Sequence, residues 1–479
     1  MKKSITKNYT YNLIYQILVL ILPLITTPYI SRVLGAENIG IYSYTISIVT
    51  YFILFGSLGI ALYGQREIAY LQSKPEEYSK TFWEILIVRF VTMFISMFVF
   101  YLSFIRQGQY QIYYVVLLLN MIAECLDISW FFQGLEEFKK TVLRNIVVKI
   151  ISIVCIFTFV KTSEDLLAYF WIFVLSILIG NISLWPYLPK YLKKVDMKKL
   201  KIVRHIKPTI GLFIPQIAVQ LYTVLDKVMI GSIISDKSEV GYYEQSQKII
   251  KMVLTIITSL GTVMVPRIAN TFINGDKEKI HSYMRKSFNF VFILAFPMIF
   301  GIIAISKYFV PMFFGDGYDK VTILMSIISP IILMIGLSNV IGTQYLLPTK
   351  RQKEYTISVI IGATSNFLIN MMLISKYGSI GAAIGTVIAE TLVAIIQFIF
   401  VRKDFNIKSI LKLSIKYIFA SIIMFIVCVM ISKFVTNSLL SIILQVGIGI
   451  SVYGITLLLL KDEFTYTIID KVKQKLMRS

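Results

Sequence analysis

Long polar intervals are what this chain of 479 residues lacks most. No polar stretch much exceeds roughly 20 residues, far below the ~50 that a domain needs, so no separate soluble catalytic domain is expected. Cysteine is scarce: Cys125, Cys155 and Cys428 lie apart in apolar stretches, and no CxxC pair occurs. That argues against a disulfide framework. The two histidines, His205 and His281, fall in polar loops, and without a Cys/His cluster no metal site is expected. No GxxxxGKS or GxxxxGKT phosphate loop is present, which excludes an ATPase of that type. Neither HExxH nor GxSxG appears. No catalytic residue, metal or cofactor is therefore expected.

What remains is mostly hydrocarbon. Hydrophobic residues make up 57% of the chain and charged residues 15%. A soluble protein of that composition lacks the polar groups to cover its surface, so the chain reads as an all-α polytopic membrane protein. Its formal charge of +22 would suggest nucleic acid in a soluble protein. Here the basic residues cluster in loops, where they orient the chain and touch anionic lipid headgroups; no nucleic-acid partner is expected.

A span needs about 20 apolar residues. That rule places helices near 10–31, 41–64, 82–104, 111–133, 142–161 and 166–189. A second set follows near 209–233, 241–266, 287–312, 320–346, 355–375 and 379–401, with a final pair near 412–433 and 437–460. The total is about fourteen transmembrane helices. The start, Met1-Lys2-Lys3, precedes an apolar stretch too long for a signal peptide and reads as a retained first span. Alternate loops are rich in lysine and arginine, above all the run from Lys190 to Lys207. The opposite loops carry one or two each, such as Lys161, Lys237 and Lys307. An imbalance of roughly four to one puts both termini in the cytoplasm.

The basic run divides two halves of similar design. Arg32-Val-Leu-Gly precedes Gly40-Ile-Tyr-Ser-Tyr in the first, and Lys227-Val-Met-Ile-Gly precedes Gly241-Tyr-Tyr-Glu-Gln in the second. Gln133-Gly-Leu-Glu and Gln344-Tyr-Leu-Leu make a further pair, at offsets of about 200 and 211 residues. A parallel repeat of this kind predicts two six-helix lobes related by a pseudo-two-fold axis along the membrane normal, plus two peripheral helices. The expected divisions are 1–200 (helices 1–6), 201–405 (helices 7–12) and 406–479 (helices 13–14 and the tail).

Charges inside spans are the candidate functional residues. Each costs at least ~2.5–3.5 kcal/mol on insertion scales and normally faces a protein interior or a water-filled path. Asp226, Lys227, Glu244, Lys248 and Lys251 fall within about 26 residues, and the last three share one helix face. With Arg32 at the end of the first helix, these cations are expected to converge on the outward part of a central cavity. A deeper group comprises Glu84 and Arg89, Glu124 and Asp127, Lys149, and the solitary Glu390. The alternative for each is a structural ion pair or a lysine reaching the interface, and for Glu84 and Arg32 that alternative is preferred. Cations in a dehydrated cavity suit an anionic ligand such as phosphate. The carboxylates Asp226, Glu244, Glu124, Asp127 and Glu390 would balance that charge or couple transport to a cation. Pro23 and Pro215 hold equivalent places in the two halves and fit either rocking hinges or packing bends. The run Gly378-Ser-Ile-Gly381-Ala-Ala-Ile-Gly385 reads as tight helix packing.

Several of these blocks resemble one known family. Thr27-Pro-Tyr-Ile-Ser-Arg-Val-Leu-Gly35 with Gly40-Ile-Tyr-Ser-Tyr44 resembles the first-helix signature of Wzx-type polysaccharide flippases, in the multidrug/oligosaccharidyl-lipid/polysaccharide (MOP) exporter superfamily. Leu225-Asp-Lys-Val-Met-Ile-Gly231 with Val240-Gly-Tyr-Tyr-Glu-Gln245 resembles their seventh and eighth helices, and Thr258–Arg267 and Tyr377–Thr386 extend the match. The resemblance implies two lobes around a cationic cavity, working by alternating access. It also implies an undecaprenyl-diphosphate-linked oligosaccharide moved from the cytoplasmic to the outer leaflet of the bacterial cell membrane. By the same resemblance Arg32, Lys227, Lys248 and Lys251 are candidate diphosphate or sugar contacts, and Arg89 and Lys149 join them as substrate-binding candidates. Partners would be the lipid-linked glycan, membrane lipid, a polysaccharide polymerase and glycosyltransferases. Acidic sugars would favour a more uniformly cationic lumen, so the carboxylates leave the sugar's charge open. The alternative reading is a cation-coupled MATE-like exporter of small molecules; a membrane enzyme would need a sizeable outer loop, which is lacking.

Overall fold

The structure is a computed structural model that describes residues 5–106, 109–435 and 437–466, with side chains described except at 5–20, 138 and 214–223. Pro215 and the basic amino-terminal and tail residues therefore lie outside the described side chains. Among the described residues there are helices and no strand. Twelve segments are long and apolar enough to cross a membrane. The first, Ile21–Tyr70, contains two expected spans, and the seventh expected span is a further helix, Ile206–Ile233. The chain is an all-helical polytopic membrane protein.

Two compact units are present, Met1–Gly241 and Tyr242–Ser479. The first contains α1 (Ile5–Ser57), α2 (Ile60–Tyr70), α3 (Pro75–Phe100), α4 (Gln111–Cys125), α5 (Ser129–Gly134), α6 (Phe138–Phe159), α7 (Leu166–Ile182) and α8 (Ile206–Ile233), and it ends just inside α9 (Ser238–Ile273). The charge pattern places a division at residue 200. In the structure α8 packs on α1 and α2 and is grouped with the first unit.

Helices run beyond the apolar windows wherever packing continues. The expected turn between the first two spans lies inside α1, at Gly35, with φ 76° and ψ 171°. That left-handed φ favours glycine. Four residues of the repeated blocks, Gly40, Tyr44, Gly231 and Gly241, then meet Ala36 and Lys237 where α1 approaches the turn from α8 to α9. A Cβ on Gly40 would lie 1.7 Å from the Lys237 carbonyl oxygen, and one on Gly241 2.0 Å from the Ala36 oxygen. A Cβ on Gly231 would lie 2.1 Å from the Tyr44 ring. The Lys237 ammonium caps α8, donating to the carbonyls of Gly231 (2.6 Å) and Ile234 (3.0 Å), and lies 5.2 Å from the Tyr44 ring centroid. The paired glycines are thus sites of close backbone approach.

At the opposite end of this unit, Trp130, Phe131, Phe132, Phe82 and Tyr63 build an aromatic core. The fully buried Glu84 of α3 accepts from the Lys201 backbone N–H (2.6 Å), from Arg204 Nε (2.9 Å) and from His205 Nε2 (2.7 Å). Tyr63 completes the chain at His205 Nδ1 (2.7 Å). A carboxylate only accepts, so neutral His205 donates from Nε2 and accepts the Tyr63 hydroxyl. His205, expected in a solvated loop, is buried because this network satisfies both ring nitrogens. Glu84 is the structural pair anticipated for a charge near a span end.

The second unit continues through α9 and contains α10 (Lys277–Phe314), α11 (Asp319–Ile328), α12 (Ile331–Ser338), α13 (Gln352–Tyr377), α14 (Ser379–Val401), α15 (Ile407–Phe434) and α16 (Ser438–Leu459). Gly381 meets the Leu373 carbonyl and Gly385 meets Asn370, the close packing that the small-residue spacing predicts. Arg351 holds Glu354, Asp404 and the Phe400 carbonyl together. Buried Asp462 fastens α15 to the end of α16 through Lys416, Tyr417 and Thr465. Burial opposes ionisation of Asp462, but the Lys416 and Thr465 hydrogen bonds outweigh it and hold the carboxyl below its usual range.

Gly40→Ala and Gly241→Ala should each destabilise the protein by about 1–3 kcal/mol, the usual cost of overpacking. Gly211→Ala, with nothing within 4 Å of the added carbon, should leave stability unchanged or raise it; melting of the purified variants in detergent distinguishes them. Burial pushes the His205 imidazole below its ordinary range, a shift its hydrogen bond to Glu84 partly opposes. The folded chain therefore binds this proton less readily than the unfolded one. The contribution of neutral His205 is complete above about pH 6.5 and is lost as pH falls below it. Melting temperature should decline as pH falls below about 6.5, a window above the acid range in which Asp462 titrates. The decline should vanish in His205→Gln; an equal decline in that variant would assign it to other groups.

Candidate functional site

The fourth span is not continuous. α4 ends at Cys125 and α5 begins at Ser129, so backbone carbonyls lose their helical partners at membrane depth. Each must be satisfied locally, because hydrocarbon offers no donor. Asn181 donates to the Ala123 carbonyl (2.7 Å), and Trp185 Nε1 to that of Leu126 (2.9 Å). Arg89 donates to the carbonyls of Asp127 (3.0 Å) and Glu124 and lies 3.9 Å from the Glu124 carboxylate. Asp127 caps the start of α5, accepting from the Ser129 N–H (2.9 Å) and hydroxyl.

Beside this break lies a cavity of about 490 Å³, bordered by α1, α4, α6 and α7. Its charged lining is Glu124, Asp127, Arg144 and Lys149, joined by the amides of Asn145 and Asn181. Thr26, Ser152 and Ser176 add hydroxyls, and Pro23 of α1 lies on the wall. Arg144 Nη1 donates to the Asn181 side-chain oxygen (3.1 Å) and the Gly180 carbonyl (3.2 Å), while its Nε donates to Asn145 (2.9 Å). Arg144 therefore steadies the amide that satisfies Ala123. Two carboxylates, two cations and two amides within one unit make a charge-balanced, hydrogen-bonding surface. Such a surface suits a polyhydroxylated or phosphorylated ligand better than an apolar one.

Among the sequence-derived candidates, the structure brings Glu124, Asp127 and Lys149 together. Arg89 is 2% exposed and occupied by backbone carbonyls, so it supports the cavity from behind. Arg32 on α1 is exposed, and on α8 Asp226 is buried and Lys227 half-buried; none of the three lines this cavity. In the second unit Glu244 and Lys248 are half-buried and Lys251 exposed on α9, while Glu390 is buried on α14. Sequence reasoning missed Arg144, Asn145 and Asn181. Arg144 lies at the start of the expected span 142–161, where a basic residue reads as one reaching the interface, whereas α6 begins at Phe138 and sets it inside the helix. Asn181 lay in an otherwise apolar helix, where an uncharged amide is itself a signal.

A second cavity of about 490 Å³ lies within the other unit, between α9, α10, α15 and α16. Its walls are aliphatic and sulfur-containing, including Ile256, Met298, Ile302, Met424, Cys428 and Ile450. The terminal helices α15 and α16 thus form one side of an apolar groove.

The family described as "Polysaccharide biosynthesis protein" matches residues 5–272, and the family MatE matches residues 212–374. The chain is 26% identical, over 84% of its length and 98% of the relative's, to a candidate O-antigen transporter of Escherichia coli (strain K12). It is 22% identical over 83% of its length to the capsular polysaccharide biosynthesis protein CapF of Staphylococcus aureus, covering 100% of that protein. Among solved structures, the lipid II flippase MurJ in an inward closed conformation aligns with a TM-score of 0.77 and 19% identity, over 95% of this chain and 99% of that one. An inward-facing multidrug resistance MATE family transporter of the MOP superfamily aligns at 0.63 and 13% identity, over 82% and 96%. These likenesses share the all-helical fold. Because the first of these matches spans more than half of the sequence, the chain belongs to the polysaccharide biosynthesis protein family.

Proposed function

We propose that this protein is a flippase for lipid-linked oligosaccharides in surface polysaccharide biosynthesis. The observation that carries the reading is the charged, amide-lined cavity of the first unit, set in a membrane protein of this family. Its cations suit phosphate or sugar oxygens, and its carboxylates and amides suit hydroxyls. The apolar groove beside α15 and α16 suits the hydrocarbon tail of the lipid carrier. The proposed substrate is an undecaprenyl-diphosphate-linked repeat unit, carried from the cytoplasmic to the outer leaflet of the bacterial cell membrane by alternating access. Both termini are proposed to be cytoplasmic, from the uneven distribution of basic loops. The lobes 1–200 and 201–405 and the peripheral segment 406–479 are kept as functional divisions. Arg32, Lys227, Lys248 and Lys251 are proposed as further contacts, with Asp226, Glu244 and Glu390 as balancing or coupling groups. A polymerase and glycosyltransferases are the proposed partners, and no catalytic step is assigned to this chain.

Deletion in the native strain should deplete outer-leaflet lipid-linked repeat units and surface polysaccharide. Normal outer-leaflet delivery in the deletion strain would overturn the proposal, and drug hypersensitivity in its place would favour a MATE-like exporter. Losing one charge-assisted hydrogen bond costs about 1.5–3 kcal/mol, or roughly tenfold and more in a rate or an affinity. Lys149→Ala and Glu124→Gln should reduce export on that scale with protein abundance near normal, and Lys248→Ala and Lys251→Ala should do likewise. Arg89→Ala should instead lower abundance, because it uncovers the Asp127 carbonyl and removes a donor from that of Glu124; quantitative immunoblotting alongside polysaccharide assay separates the two classes.

A further inference from the structure

The segment between α7 and α8 takes no part in either cavity. From Lys190 to Lys207 it carries eight lysines and arginines against one acid, Asp196, and all eight basic side chains are exposed. Exposed apolar residues alternate with them: Met197 is 53% exposed and Val203 77%, and Ile206 follows. In a freely solvated loop those side chains would gain nothing from order, yet this segment is fastened at several points. The Lys193 N–H donates to Ser79 Oγ (2.9 Å), and the Tyr78 hydroxyl to the Tyr191 carbonyl (2.9 Å). Further along, buried Glu84 collects the Lys201 N–H, Arg204 and His205. The backbone is thereby held in short turns, at Met197–Lys199 and Ile202–His205, with its lysines and the side chains of Met197 and Val203 outward.

Both ends of the segment are tied to the membrane. The preceding membrane-crossing stretch runs to Lys190, and α8 begins at Ile206. The intervening residues therefore stay close to the lipid surface, where an anionic leaflet attracts basic groups over about one Debye length, ~10 Å. Trp185 and Tyr187 immediately before it are residue types that settle at headgroup level. Interleaved basic and apolar side chains on an ordered segment in that plane have the pattern of an interfacial element. An acidic soluble protein would also pair with the lysines, but it would not require the segment to lie in the membrane plane at both ends.

We propose that residues 190–207 form a pre-ordered strap that binds the headgroups of anionic phospholipids. Its lysines take the headgroup phosphates, and Met197, Val203 and Ile206 enter the acyl boundary. Glu84 is the positioning residue that keeps this face turned to the lipid.

The test uses the full chain with Cys155→Ser, which removes the half-buried cysteine, and Val203→Cys carrying an environment-sensitive fluorophore; Cys125 and Cys428 are buried. The labelled protein is placed in vesicles of phosphatidylcholine alone or with added phosphatidylglycerol. Phosphatidylglycerol should shift emission to the blue and allow quenching by brominated lipid. High salt, or joint replacement of Lys193, Lys194, Lys198 and Lys199 by glutamine, should abolish that difference. Unchanged melting temperature in the glutamine variant confirms that folding is intact, and a probe at Met197→Cys repeats the measurement independently. Glu84→Gln should retain less than half of the shift. Equal emission in the two vesicle types, or a shift seen only when an acidic protein is added, would overturn the proposal.

Discussion

Backbone polar groups at bilayer depth must be satisfied by the protein itself, and the polar cavity of the first unit is arranged around a place where a span leaves them open. At the interruption between α4 and α5, side chains from α3, α7 and the turn beyond α7 reach the carbonyls of Ala123, Glu124, Leu126 and Asp127. Arg89 matters most, because a single guanidinium reaches both the last turn of α4 and the gap that follows it. A continuous helix would need neither Arg89 nor Asn181. It would also lack the local geometry that sets Glu124 and Asp127 beside Lys149 and Arg144. The polar cavity is thus a consequence of solving a backbone problem in hydrocarbon.

Glycine meets a complementary constraint. Gly40 and Gly241 occupy corresponding places in the two sequence halves, and the structure sets each against a carbonyl that leaves no room for a Cβ. Backbone approach of that kind gives dispersion contact where the hydrophobic effect offers little discrimination between helix and lipid. Lys237, counted from sequence as one more loop charge, is instead used to close α8 and to lie on Tyr44.

Much of the fold was legible because hydropathy reports a direct transfer cost. Fourteen expected spans correspond to helices in the structure, and helix ends differ mainly where helices such as α3 and α10 extend beyond the bilayer-length window. The site was only partly legible. Glu124, Asp127 and Lys149 were found as costly intramembrane charges, but Arg89 has the same sequence signature and another task. Cost identifies a charge that needs a partner; it does not say whether the partner is backbone, another side chain or a ligand. His205 shows the same limit from the polar side, since loop composition gave no hint of a buried imidazole between Glu84 and Tyr63.

By itself the sequence determined that this is a multi-pass membrane protein and where its apolar helices lie. Those properties follow from local composition, length and spacing, each readable one segment at a time. Only the tertiary structure decided that the fourth span breaks, that Arg144, Asn145 and Asn181 join the cavity, and that Glu84 holds a basic strap in place. Those outcomes depend on which carbonyls, carboxylates and amides from distant segments come within about 3 Å, the range of a hydrogen bond, and no periodicity along one helix encodes that distance.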